Sequence, residues 1–405
     1  MERDDKILAL CLGAIAAIGP LAMDMYLAAM PTMAAQLNAG HGEIEMSVMA
    51  FFIGFCLGQL VLGPVSDRTG RKPVVFLGLS VFAISSLGCM LSGSIPELMG
   101  WRFAQGIGGS IGMVIAMSSV RDRFRGAQAA QMMGMVVIVL GMAPVIAPIL
   151  GGAILMVAPW QVIFVVLALA ALGVLTLVWK MMPEPRSAEM RKNSHPLRAP
   201  GTYARLLVDR TFIPYAGAMA LTQGGFFGYI SAASVVLITG YGVAPIVFSV
   251  IFAVNAIGMT ICARTGGALV GRIGAVKLAR IATVFRACLA LVMLALSLAG
   301  ALTLPVFLVV MFFLIASLGF VMPSVSVLAL DAQGQNAGAA SALMGAAGFG
   351  AGALVSLVIG LLADGSAWPI ALTMAASAVL AALLAVFAFD DNAGISPAVA
   401  EKGTA

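Results

Sequence analysis

Gly63-Pro64-Val65-Ser66-Asp67-Arg68-Thr69-Gly70-Arg71-Lys72 stands between two long apolar runs and returns, decayed, as Gly267-Ala268-Leu269-Val270-Gly271-Arg272-Ile273-Gly274-Ala275-Val276. Gly63, Arg68 and Gly70 recur as Gly267, Arg272 and Gly274, each 204 residues further on in a chain of 405. A charged turn repeated at half the chain length, both times between apolar spans, implies a duplicated membrane protein.

Composition points the same way. Hydrophobic residues make up 61% of the chain and charged ones 10%, with a mean hydropathy of +1.07, so lipid must be the solvent for much of the surface. A spanning helix needs about 20 mostly apolar residues. Twelve stretches qualify, at about 7–31, 45–64, 74–92, 97–119, 128–155, 159–181, 211–237, 245–264, 277–299, 304–328, 337–363 and 367–389. The first follows Met1-Glu2-Arg3-Asp4-Asp5-Lys6, and Ala14-Ile15-Ala16 imitates a leader cleavage site. Its length and the spans behind it argue for a helix of the bundle instead.

Basic residues near span ends stay on the cytoplasmic side. Of the 22 Lys and Arg, 20 fall in, or at span ends bordering, the N-terminus, the second-third, fourth-fifth, sixth-seventh and eighth-ninth connections, or the C-terminal tail, leaving Arg102 and Arg286 well inside spans. The opposite connections (32–44, 92–96, 156–158, 238–244, 300–303 and 364–366) contain neither Lys nor Arg. Both termini are therefore expected in the cytoplasm, with Trp101, Trp160 and Trp368 at the outer interface. The net charge of +5 thus reads as a topology signal and not as a nucleic-acid footprint. Cys11, Cys56, Cys89, Cys262 and Cys288 lie in apolar spans without metal-ligand spacing, and His41 and His195 fall on opposite sides. No metal site is expected. The longest connection, 182–210, separates an N-terminal six-helix bundle (1–181) from a C-terminal one (211–389), followed by a tail (390–405). Its charges, Glu184 and Arg186 among them, read as a solvated face toward lipid headgroups.

G-x-x-x-D-R-x-G-R-K after the second of twelve spans, with a degenerate copy after the eighth, resembles the signature of the major facilitator superfamily. Asp24-Met25-Tyr26-Leu27 in span 1, Arg102-Phe103-Ala104-Gln105-Gly106 in span 4 and Gly141-Met142-Ala143-Pro144-Val145-Ile146-Ala147-Pro148-Ile149-Leu150-Gly151-Gly152 in span 5 resemble its drug:proton antiporter branch, in particular the Bcr/CflA-like multidrug exporters. The resemblance implies an all-α polytopic protein of two pseudo-symmetric six-helix bundles that rock about a central cavity. It also implies a bacterial inner-membrane monomer that uses the proton gradient and no cofactor, with a small-molecule drug, protons and the bilayer as partners, and no nucleic acid. In that family the cluster Gly63, Asp67, Arg68, Gly70, Arg71 and Lys72 latches the halves on the cytoplasmic side in the outward-open state, and the span-5 motif accompanies export.

Read on its own chemistry, the cluster lets Asp67 pair with its basic neighbours or face the positive end of another helix. Positive-inside topology alone would also explain the arginines. In the second copy Gly271, Ala275 and Val276 replace the aspartate and two cations, so any latch is asymmetric. Asp24 is the acid clearly inside a span, which makes it a functional residue by default because a charge there is costly. It lies about 10 Å from the outer end of its helix, and Arg102 about 8 Å from the same side. If they face each other, Arg102 favours the carboxylate, whereas burial without it favours the acid. Asp24 is accordingly the expected proton carrier, Arg102 its modulator and Gln105 a hydrogen-bonding neighbour. A single carboxylate suggests one proton per cycle. The resembled group places proline directly after the Tyr-Leu step, where this chain has Ala28 and delays proline to Pro31.

For span 5, Gly141, Gly151 and Gly152 allow close approach and Pro144 and Pro148 kink the helix, which suits a seal against the opposite half. Small-residue packing is the plainer alternative. The cavity is expected to be lined by Tyr26, Gln105, Met142, Gln223, Phe226, Phe227, Tyr229 and Asn255, an adaptable apolar surface with few polar groups. Export of apolar or amphipathic drugs is the leading function, and a proton-coupled transporter of a nucleoside or sugar on the same fold is the alternative. An intramembrane enzyme would need a nucleophile-base or metal constellation that the spans do not supply.

Overall fold

Pro31 bends the first span. In a computed structural model that describes residues 3–124 and 126–390, α1 (Arg3–Asp24) gives way to one 3₁₀ turn (Leu27–Ala29) before α2 (Met30–Gln36) resumes the path. Proline at the second position of α2 needs no N–H there, but its ring disfavours a regular helix through the residues before it. The break therefore falls directly after Asp24. The tail from residue 391 onward lies outside the described residues.

Ten more long helices follow with few interruptions: α3 (His41–Thr69), α4 (Arg71–Leu91), α5 (Ile95–Arg123), α6 (Gly126–Val157), α7 (Gln161–Met181), α10 (Ile213–Ser234), α11 (Pro245–Ile273), α12 (Ala275–Leu298), α13 (Leu304–Asp331) and α14 (Ala337–Leu362). The last span is α15 (Trp368–Phe387). A π turn, Val235–Gly240, extends α10, and α8 (Ala188–Lys192) and α9 (Ala199–Leu206) lie in the long connection. Twelve helical segments among the described residues are long and apolar enough to span a bilayer. The protein is a multi-pass membrane protein.

The expected repeat has a backbone counterpart. α3 turns into α4 at Gly70 (φ +107°) and α11 into α12 at Gly274 (φ +84°), a conformation that side chains with a Cβ disfavour. Around these turns the helices assemble into two six-helix bundles. In the first, α5 packs on α3, α4 and α1, and α7 on α4; in the second, α10 packs on α13, α14 and α15, α11 on α13, and α12 on α13 and α15. The bundles meet along two seams, α3 with α14 and α6 with α11.

The end carrying Asp67, Arg71 and the long connection is called here the basic end, and the opposite one the far end. At the far end α3 and α14 are so close that a Cβ on Gly42 would collide with the Gly360 carbonyl oxygen. Midway, Phe52 and Phe55 of α3 interlock with Phe227 of α10 and Phe349 of α14, with ring centroids 4.1 to 5.8 Å apart across the seam. At the basic end the seam loosens into a cavity of about 540 Å³ between Gly63, Asp67 and Arg121 on one side and Gly334, Ala337 and Gly338 on the other.

Candidate functional site

Asp24 closes α1 and is 1% exposed, and neither carboxylate oxygen has a hydrogen-bond partner. The 3₁₀ turn that follows it touches α10 and α11, so the break in the first span abuts the opposite bundle. Arg102, fully buried on α5, does not pair with Asp24. Its Nη1 donates to the Ala22 carbonyl (3.1 Å) and to Gln105 Oε1 (2.6 Å). Its guanidinium lies 4.2 Å from the Tyr26 ring centroid and 4.3 Å from that of Phe51. Gln105 passes the chain on, donating from Nε2 to Ser86 Oγ at 2.8 Å. Tyr26 shares a hydrogen bond with Ser47 Oγ at 3.1 Å. Arg102 thus holds the backbone of α1 two residues before Asp24. Ala22 lies in the last turn of that helix, where carbonyls run out of intrahelical donors.

The expected cavity residues divide. Phe226, Tyr229 and Asn255 line a small enclosed space with Pro144 of α6, Phe252 and Ile315. Asn255 Nδ2 donates to the Tyr229 hydroxyl at 3.0 Å, and the Tyr229 and Phe252 rings stack. This space adjoins the α6 to α11 seam and holds only about 10 Å³ in this closed state. Gln223 packs against the bare backbone of Gly348, with its Oε1 unbonded. Met142 does not belong to the group: it is 51% exposed and sits beside, not on, the buried stripe of Ala143 and Ala147. One step along a helix rotates a side chain by about 100°, and that step carries Met142 off the inward face. Phe227 belongs to the aromatic plug, whose partners Phe52, Phe55 and Phe349 look like ordinary apolar residues in the sequence.

At the basic end, Arg71 binds Asp67 (2.7 Å) and Asp122 of α5 (2.8 Å). Arg186, from the long connection, binds Asp122 at 2.9 Å and Asp67 at 3.5 Å. The Glu184 carboxylate accepts from the backbone N–H groups of Arg71 and Lys72, capping the start of α4. Arg68 donates to the carbonyls of Arg191 and Lys192, and Lys72 to those of Trp179 and Met182. Glu184 and Arg186 are therefore partners of the charged turn, which corrects their reading as a solvated face. A spacing of more than 110 residues hid them. Among the described residues the cluster makes no ion pair with the second bundle; Asp67 faces the start of α14 across the cavity.

In α6, a Cβ on Gly151 would collide with the Met25 carbonyl oxygen, and one on Gly152 would meet Ser249 Oγ of α11 at 2.6 Å. These glycines let α6 close on the end of α1 and on its counterpart in the other bundle. Gly141 has open space around it and takes no part. Pro144 and Pro148 stay within a continuous helix.

A model of the Major Facilitator Superfamily matches residues 12–356. The chain belongs to that family. This facilitator is 34% identical over 387 residues to the "Uncharacterized MFS-type transporter YdgK" of Bacillus subtilis, covering 94% of this chain and 95% of that protein. It is 29% identical to the "Bicyclomycin resistance protein homolog" of Haemophilus influenzae, covering 96% and 98%. Among solved structures it is similar to the xylose transporter XylE of E. coli in a partially occluded inward-open conformation, with a TM-score of 0.76, 15% identity and coverage of 98% and 100%. At that identity the likeness concerns the facilitator fold alone.

Proposed function

We propose that this protein exports small apolar or amphipathic drugs in exchange for protons, by alternating access. Asp24 carries the reading. A carboxylate ion buried without a partner costs several kcal/mol, so Asp24 is held neutral while the far end is closed. When the halves part at the far end, the break after Asp24 opens toward solution and the acid can exchange its proton. Arg102 tunes this step through the backbone it grips, without touching the carboxylate. The lining by Phe226, Tyr229, Phe252 and Ile315, with Asn255 as the polar handle, suits an apolar ligand. The drug-resistance name of the Haemophilus relative supports the same substrate class. A sugar or nucleoside would call for more hydrogen-bonding groups than Gln223 and Asn255 offer.

In the cell the basic end would face the cytoplasm of a bacterial inner membrane, following the positive-inside distribution. The protein would act as a monomer, with its two bundles joined by the long connection. The charged turn would then close onto the start of α14 when the far end opens. The test is drug-driven proton flux in liposomes. Wild type should move protons on addition of a substrate, whereas Asp24→Asn should bind drug and abolish the coupled flux. Unchanged flux in Asp24→Asn would refute the assignment.

A further inference from the structure

Glu45 lies one turn inside the far end of α3, is 2% exposed, and its Oε2 has no hydrogen-bond partner. It points at the opposite bundle. With it around a cavity of about 10 Å³ stand Ala232, Val235 and Val236 of α10 and its π turn, Ile359 of α14, Ile370 of α15 and Ser366 of the intervening loop. Such a space is at the lower limit for one water molecule.

Among the described residues, none of the elements around it supplies a cation. The charged group of the loop is Asp364, where burial works against the charge but hydrogen bonds from Ser366 and Trp368 outweigh it, holding the carboxyl below its usual range. Asp364 therefore adds negative charge to this end. The Tyr241 hydroxyl is turned to the Leu302 carbonyl, α2 contains no titratable residue, and Glu97 of α5 accepts from Gly93 N–H. On its own helix, Glu43 accepts from Gly40 N–H and His41 lies one turn back.

We propose that Glu45 is a second proton-binding site, one that gates the far end. When the bundles part there, Glu45 faces solution as a carboxylate. Closing presses it against apolar side chains of the other bundle, beside Asp364, and strips its water. The bundles therefore close only after the carboxylate has bound a proton from the far-side solution, which it returns on reopening. This proton stays on one side, so it sets the return rate of the empty carrier without adding to the protons transported. The proposal rests on the alternating-access reading above but not on Asp24 being the carrier.

Labelling of a reporter thiol tests it. In a background with the five native cysteines replaced by alanine, Val235→Cys places a thiol in the closed seam, and a membrane-impermeant maleimide reads its exposure in liposomes. Each rate is divided by that of the unfolded protein at the same pH, which removes the thiol's own titration. Labelling should rise about tenfold between about pH 5 and about pH 8 with Glu45 present. In an Asp24→Asn background, which removes the other unpartnered buried acid, it should stay low at both values in Glu45→Gln and in Glu45→Leu, two neutral variants of different polarity whose folding is checked by size exclusion and drug binding. His41→Asn should keep the wild-type profile. A pH-independent wild type, or a Glu45→Gln profile matching wild type, overturns the proposal. Asp24→Asn should lose coupled flux while labelling still rises with pH as long as Glu45 is present. A wild type with no drug-driven proton flux would defeat the exchange of drug for protons but not alternating access, and would leave this result standing.

Discussion

Arg102 sits in an apolar helix and is kept there by contacts that a lysine cannot copy. A planar guanidinium can lie between the Tyr26 and Phe51 rings while donating to Ala22 and Gln105, whereas an ammonium satisfies one set or the other. Arg102→Lys should cost about 2 kcal/mol and Arg102→Ala about 4 kcal/mol, read as lowered thermal stability of the purified protein. Both variants should slow transport by releasing the end of α1. Asp24, Arg102 and Gln105 were legible as functional candidates because polar groups are rare in these spans. The second acceptor of Arg102, the Ala22 carbonyl, was not, since a backbone carbonyl carries no sequence signal. Glu45 was hidden differently: it stands where the second apolar run begins, and a boundary acid looks solvated until the opposite bundle is seen against it.

Among the elements, the two glycine turns separate what the repeat preserves from what it has lost. Gly70 and Gly274 share the same left-handed backbone, but only Gly70 has a neighbour: a Cβ there would stand 2.8 Å from Glu184 Oε2, while one on Gly274 meets nothing. Gly274→Ala should therefore cost only the backbone strain of its positive-φ, extended conformation, about 1–3 kcal/mol. Gly70→Ala should cost more than that, because it also displaces the cap on α4. Chemical denaturation of the two variants in detergent would rank them. The glycines and arginines of the turn were enough to place it between helices and to pair its two copies. They could not reveal Glu184, Arg186 or Asp122, whose meeting depends on how the long connection folds back.

For the whole molecule, the seams between the bundles decide which state is stable. The plug of Phe52, Phe55, Phe227 and Phe349 contributes to the closed seam through stacking that α14 shares with α3 and α10. Phe349→Ala should weaken closure and raise drug-independent proton leak in liposomes several-fold, while an intact plug keeps leak near background. The number of helices, their division into two bundles and their apolar surfaces were legible from hydropathy and the repeat. The choice of which faces meet was not, because in lipid an inward phenylalanine and an outward one obey the same rule.

The long connection has one more consequence. Its first part is lashed to the first bundle by Arg186, Glu184 and the carbonyls of Arg191 and Lys192, while α9 rests on α14 of the second. Between them runs Pro196–Arg198, with Leu197 almost fully in solvent. The connection is a strap held to the first bundle as far as the Tyr203 hydroxyl, which donates to the Leu60 carbonyl, and to the second from α9 onward, so the slack it can release caps how far the bundles can separate. Shortening that short stretch would make a transporter with a narrower stride, and lengthening it one with a wider throat.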